Sequence, residues 1–338
     1  MNRYLTIHIP ETASPAPVSH FLRTQAGLTK KQISQAKFRP GGVQKNGQQC
    51  RVTETAYPGD QITVCLETND VDSAQLESAP APQFLPELEI LYEDQDILAV
   101  NKPAGIVTHP SGSHYSDSLS NQVAAYFRSK GESTKVRSIG RLDKETSGIL
   151  LFARNQTAAA RLQKQREDGI LEKTYLAAVS GSMPEDTGGT FHAITAPLAP
   201  DPDNRLKMVI SPDDSIPGSK PAETLYSVLK STAPDSRISA SLVMLRLKTG
   251  RTHQIRVHMA ALGHPLLGDS LYHLSDTTNL FSRAALHAWK LKFQPPFPTG
   301  ETTSDTLSSM PCTKNTQKEI SLEAPLPEDF KKFYETIF

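Results

Sequence analysis

Cysteine is scarce. Cys50, Cys65 and Cys312 are the only three in 338 residues, odd in number and far apart. That argues against a disulfide framework and against a zinc site, and it fits a reducing cytosol. Long apolar runs are missing as well: none approaches the roughly 20 residues a membrane-crossing helix needs. The opening Met1-Asn2-Arg3-Tyr4-Leu5-Thr6-Ile7-His8-Ile9-Pro10 alternates polar and apolar residues, so no secretory leader is expected. There is no glycine-rich phosphate-binding loop and no His/Cys/carboxylate cluster at metal-ligand spacing. No sign of charge is in excess, since 36 Lys/Arg face 36 Asp/Glu. Taken alone, that balance argues against nucleic-acid binding.

The distribution of charge says otherwise. Residues 1–66 carry eight basic residues against three acids, whereas residues 67–96 carry nine acids and no base. A basic head and an acidic connector cancel on paper but not in space. The length suggests two domains, and 37% hydrophobic with 21% charged residues describes a soluble globular chain.

In the head, Val18, Leu22 and Gln25 fall at helical spacing, as do Ile33 and Ala36 after a cap-like Thr29. Asn46-Gly47 between strand-like flanks predicts a hairpin, because both turn positions want positive φ. Tyr57-Pro58-Gly59-Asp60 is a second turn before a strand. Residues 68–87 are aperiodic and Pro-containing, and read as a mobile linker.

The richest stretch runs from Ser138 to Ala153. Its second half, Ile149 to Ala153, is a short apolar run after Gly148 and reads as a strand buried on both faces. Its first half, Gly140-Arg141-Leu142-Asp143-Lys144-Glu145-Thr146-Ser147, is a loop held by that strand, where reactive groups tend to sit. Cations beside Asp143 favour its ionised form, able to act as nucleophile or base. By itself a string of this kind is far more often a solvated turn with a weak surface ion pair. Further on come Lys102-Pro103-Ala104-Gly105, Lys173-Thr174-Tyr175-Leu176-Ala177, Thr249-Gly250-Arg251-Thr252-His253-Gln254-Ile255-Arg256-Val257-His258 and Arg283-Ala284-Ala285-Leu286-His287. The segment 249–258 reads as a hairpin, which would turn His253 and His258 to opposite faces and exclude a shared metal. His109, alone in a Pro-bounded loop, reads as structural. Asn155 caps a helix that Gly169 ends.

Taken in order over about residues 88–298, these motifs resemble the RluA-type pseudouridine synthases. Position 140, often His in that family, is Gly here. The resemblance implies isomerisation of uridine to pseudouridine in RNA, with Asp143 as essential catalytic residue, Tyr175 in the active site and Arg256 paired with Asp143. It also implies substrate contacts from Arg141, Leu286, Lys173 and Arg251. The chemistry needs no cofactor. The implied fold is α+β: a mixed, mostly antiparallel bipartite central sheet with flanking helices and the cleft between its halves. Residues 12–67 resemble the small αα-β RNA-binding module named for ribosomal small-subunit protein four. Its basic face would be Lys30, Lys31, Lys37, Arg39 and Lys45, binding phosphate with little sequence choice. The expected organisation is therefore 12–67, a linker 68–87, a catalytic domain 88–298 and a polar tail 299–338 whose end, Glu328 to Phe338, reads as a short helix, with the head attached flexibly. The expected partner is RNA, ribosomal large-subunit RNA before transfer RNA, for a cytoplasmic monomer with no membrane contact. Two other readings compete. A non-catalytic RNA-binding or ribosome-assembly protein predicts loss of Asp143, Tyr175 or Arg256, and all three are present. A glycosidic-bond hydrolase would need Glu145 as the second carboxylate.

Overall fold

The computed structural model describes residues 2–67, 87–111, 116–132, 135–186, 189–212, 215–233, 236–273, 276, 278–297 and 319–338. Apart from Glu87, the expected linker lies outside the described residues. Among them, no helix is long and apolar enough to cross a membrane.

The head forms the elements its spacing indicates. Helices run Val18–Thr24 and Lys30–Lys37, the second closed by a reciprocal Thr29–Gln32 capping box. Asn46 and Gly47 take φ of 52° and 79° and turn Val43–Lys45 onto Gln48–Gln49. One strand goes beyond the expected start at residue 12: Asn2–His8 pairs in full register with Gln61–Glu67. Nor is the head attached loosely. Gln32 donates to Thr157 Oγ1 at 3.0 Å. The Arg161 guanidinium bonds the carbonyls of Ala26 and Pro296 and lies 4.5 Å from the Phe297 ring centroid. Leu22, Leu28 and Ile33 share one buried cluster with Ile149, Leu162 and Phe293. The sequence reading missed this docking because the contacts join residues more than 120 positions apart.

The central sheet runs, edge to edge, His192–Thr195, Glu223–Ser231, Ala240–Leu247, Glu172–Ser180, Leu286–Phe293, Ser147–Ala153, Ile97–Lys102 and Ile90–Glu93. Arg137–Ile139 and Ile320–Glu323 pair alongside. Every pairing is antiparallel except a two-residue parallel contact, Ser147 to His287 and Gly148 to Ala288, which joins the two halves. Gly148 makes that seam possible. Its φ is 107°, and a Cβ there would overlap the Ala288 carbonyl. Both faces of the strand after Gly148 are covered, which explains its unbroken apolar run. Ile149 and Leu151 meet the head and the Gln156–Glu167 helix, while Leu150 and Phe152 meet Leu119, Val123 and Phe127 of Leu119–Ser129.

One expectation is corrected and another extended. Gln254–Ala261, read as part of a hairpin, is a helix. Ile255 and Met259, one turn apart, pack into the main core, and Val257 packs against Leu198 and Ala222 on the other side. Burial on two sides produces an alternation that imitates a strand. The expected short helix at the end of the tail is present as Glu328–Ile337, with Phe330 and Phe333 buried against Phe281, but the polar stretch before it also supplies an unexpected strand, Ile320–Glu323, to the central sheet.

Candidate active site

The Asp143 loop is clamped on both flanks. The Thr108 hydroxyl donates to the Leu142 carbonyl at 2.8 Å and accepts from the Leu142 amide at 3.1 Å. The Lys144 carbonyl accepts from Gly105 N–H at 2.8 Å and from Lys102 Nζ at 3.1 Å. Lys102 is fully buried, and its ammonium also reaches the Pro103 and Ile106 carbonyls at 2.9 and 2.8 Å. Three carbonyls match three N–H donors. Burial draws its pKa down to about 7, against the pull of nearby Asp143. Behind the loop, Arg283 bonds the Glu145 carbonyl at 3.0 Å and the Ser147 hydroxyl at 3.3 Å, and is itself gripped by both oxygens of Asp329. The C-terminal helix therefore braces the loop. The backbone around Asp143 is fixed, while its half-buried carboxylate has no hydrogen-bond or ion-pair partner among the described residues.

That carboxylate faces a cleft of about 680 Å³ drawn from both halves of the sheet. Tyr175 and Leu286 supply apolar wall, and Arg141, Arg166, Lys173, Arg246, Lys248, Arg251 and Arg256 supply charge. Seven cations there face four acids, Asp143, Glu167, Asp168 and Glu172. A chain without net charge has concentrated positive charge at this opening. Burial, with Asp143 second, raises the Tyr175 phenol above its ordinary range, so the ring stays neutral. Burial and then Arg166 lower Lys173 to about 7. His253 begins the Gln254–Ala261 helix in the left-handed region at φ 54°, and its Nδ1 is 3.0 Å from the Tyr272 hydroxyl. Burial lowers its pKa, with Asp143 opposing.

The cleft brings together Asp143, Tyr175, Arg256, Arg141, Leu286, Lys173 and Arg251. One expected contact is absent. Arg256 does not pair with Asp143. It forms a bidentate, buried pair with Asp269 at 2.7 and 2.6 Å, and Glu145 is 3.7 Å away. Asp269 is fully buried and held by the Leu271 and Tyr272 amides, so the helix aims the guanidinium at a fixed acceptor. Burial alone would lower the Arg256 pKa, but the Asp269 pair more than offsets this, with smaller help from Glu145 and Asp143. Asp143 thus feels Arg256 through space. Glu145, the partner a hydrolase would need, accepts instead from Ala284 N–H. His109 is structural as read, with its ring nitrogens bonded to the Ser120 and Ser138 hydroxyls at 3.0 and 2.9 Å. Arg251 spends its Nε on the Pro221 carbonyl. On the head, Lys30, Lys31 and Lys37 are exposed, Arg39 is half-buried, and Lys45 bonds the Thr55 carbonyl at 3.0 Å. Sequence reading gave no role to Asp269, whose partner lies across a turn, although it ends a stretch, Gly263 to Asp269, that continues the family resemblance, and it missed Arg166, which resembles any surface residue of a helix.

Residues 96–261 match the family model described as RNA pseudouridylate synthase. The "Uncharacterized RNA pseudouridine synthase YhcT" of Bacillus subtilis is 37% identical over 280 residues, 83% of this chain and 80% of that protein. "Ribosomal large subunit pseudouridine synthase D" of Neisseria meningitidis is 33% identical over 305 residues, 86% and 71% of the two chains. Among solved structures, "Human RNA Pseudouridylate Synthase Domain Containing 4" superposes with a TM-score of 0.54 at 22% identity, covering 78% of this chain and 96% of that one. That likeness concerns the fold.

Proposed function

The chain belongs to the RNA pseudouridylate synthase family, and from that premise we propose that its cleft converts uridine to pseudouridine within large-subunit ribosomal RNA, in the cytoplasm. The observation that carries the reading is an unpartnered carboxylate, Asp143, on a clamped loop, facing an aromatic ring and an apolar wall inside a cationic opening. Isomerisation moves the uracil from a carbon–nitrogen to a carbon–carbon bond and consumes no second reactant. The catalytic demand is therefore placement and charge, which this cleft offers.

The target base leaves its stack at a cost of a few kcal/mol, smallest in loops and other unpaired regions. Arg141, exposed at the rim, occupies the space or holds the phosphate of the flipped nucleotide. Tyr175 stacks on the uracil, and Leu286 closes the opposite wall. Asp143 starts the reaction; attack on the sugar, attack on the ring and removal of a sugar proton all begin at this carboxylate. Arg256, fixed by Asp269, supplies a permanent positive charge near Asp143 without competing for its lone pairs. Lys173 and Arg251 bind the backbone around the site. The exposed Lys30, Lys31 and Lys37, with Arg39 and Lys45, contact RNA phosphates farther out.

The substrate follows the name of the Neisseria relative. The test compares pseudouridine positions in ribosomal and transfer RNA from cells with and without the gene. One or more large-subunit sites are expected to disappear and to return with the wild-type gene. Loss confined to transfer RNA would overturn the substrate while keeping the reaction.

A further inference from the structure

Four cations lining the cleft, Arg141, Arg166, Lys173 and Lys248, have no hydrogen-bond or ion-pair partner among the described residues, and one of them sits in an unusual place. Arg166 sits in the last turn of Gln156–Glu167, is exposed, and lines the cleft with Asp143, Lys173 and Tyr175. Its guanidinium has no hydrogen-bond or ion-pair partner among the described residues. Neighbouring acids are engaged elsewhere: Asp168 pairs with Lys164, and Glu167 accepts from Gln163 at 3.1 Å. An arginine left to solvent ordinarily extends away from the surface. This one lies across two glycines from separate motifs. A Cβ at Gly250 would come 2.6 Å from its Nη2, and one at Gly140 would come 3.6 Å from its Cζ. Neither glycine carries a side chain, which leaves room for Arg166 between the Asp143 loop and the loop before His253.

Arg166 shares the cleft lining with Arg141, Lys173, Lys248 and Arg251, and among the described residues no carboxylate is paired with it. An opening whose lining holds more cations than acids favours an anion, and a planar guanidinium matches a phosphate with two parallel donors.

We propose that Arg166 is a substrate-binding residue that grips a backbone phosphate beside the nucleotide presented to Asp143. This deepens the RNA reading above and rests on it. The bound phosphate lies between Arg166 and Lys173 at the mouth of the cleft. It fixes the strand so that the flipped uridine is held through its flanking backbone. The contact carries no base information and contributes affinity and register.

The experiment uses the full chain and an in vitro transcript of large-subunit ribosomal RNA, tritiated at carbon 5 of uridine. Binding is measured across a salt series for wild type, Arg166→Ala, Arg166→Gln and Arg166→Lys. Loss of one phosphate contact is expected to raise Kd about tenfold at fixed salt. It should also reduce the slope of log Kd against log salt by about 0.7. Ala and Gln should both show this, and Lys should keep the slope; a purely structural arginine would not move it. Wild-type slope and Kd in Ala and Gln overturn the assignment. Tritium release separates the two claims. Release by wild type with an unchanged slope in the variants rejects the Arg166 contact alone. No release by wild type with the slope lost rejects the isomerase reading and leaves the phosphate contact standing.

Discussion

At the scale of single residues, the site divides its charges between fixed and adjustable. Arg256 is fixed. Its pair with Asp269 is buried on both sides, so Asp269→Ala leaves an uncompensated guanidinium in the interior. Urea unfolding is expected to show a loss of about 3–5 kcal/mol; a loss below about 1 kcal/mol would mean the pair is solvated. Lys173 is adjustable. With its pKa drawn down to about 7, it is charged below that pH and neutral above it. RNA affinity should therefore fall as pH rises through about 7, and Lys173→Gln should flatten that part of the profile in a filter-binding titration. Tyr175 is displaced in the direction that keeps its proton, which suits a stacking surface better than a base. The identities of Asp143, Tyr175, Leu286 and Arg251 as cleft residues were legible in the sequence because each stands in a motif. The true partner of Arg256 was not, because Asp269 belongs to the next loop and nothing local marks the pairing.

At the scale of elements, the two half-sheets meet over two residue pairs, and one glycine permits it. Gly148→Ala puts a methyl group against the Ala288 carbonyl at a φ that L side chains rarely adopt. The positive φ alone costs about 1–3 kcal/mol, and the overlap at the seam adds about 1–3 kcal/mol. The variant is expected to unfold at markedly lower urea concentration than wild type, whereas an unchanged midpoint would show that the seam yields. Local signals located the capped helices at 30–37 and 156–167 and the Asn46–Gly47 hairpin, because caps and positive-φ turns are chemistry within a few residues. The helix at 254–261 was misread because both its faces are buried, so the polar stripe that reveals an amphipathic helix is missing. The i, i+4 pair Ile255 and Met259 was the usable signal. The sheet strand at 320–323 had no such signal, being four residues after a long polar stretch.

At the scale of the molecule, the chain behaves as one framework around the cleft. The Gln156–Glu167 helix holds the head through Arg161 and reaches the cleft mouth with Arg166, while the C-terminal helix braces the Asp143 loop through Asp329 and Arg283. Arg161→Ala should free the head without unfolding the sheet. Hydrogen exchange is expected to quicken over Lys30–Lys37 and stay unchanged over Ile97–Lys102, and equal protection in both would show that Arg161 is dispensable for docking. None of this long-range bracing could be read from sequence patterns, which report on neighbours along the chain. The central claim remains that Asp143 starts the isomerisation. Its most direct test is tritium release from carbon-5-labelled ribosomal RNA by wild type and by Asp143→Asn, with both proteins shown to bind the RNA. The account predicts release by wild type and none by the variant. Release by Asp143→Asn at the wild-type rate would contradict it.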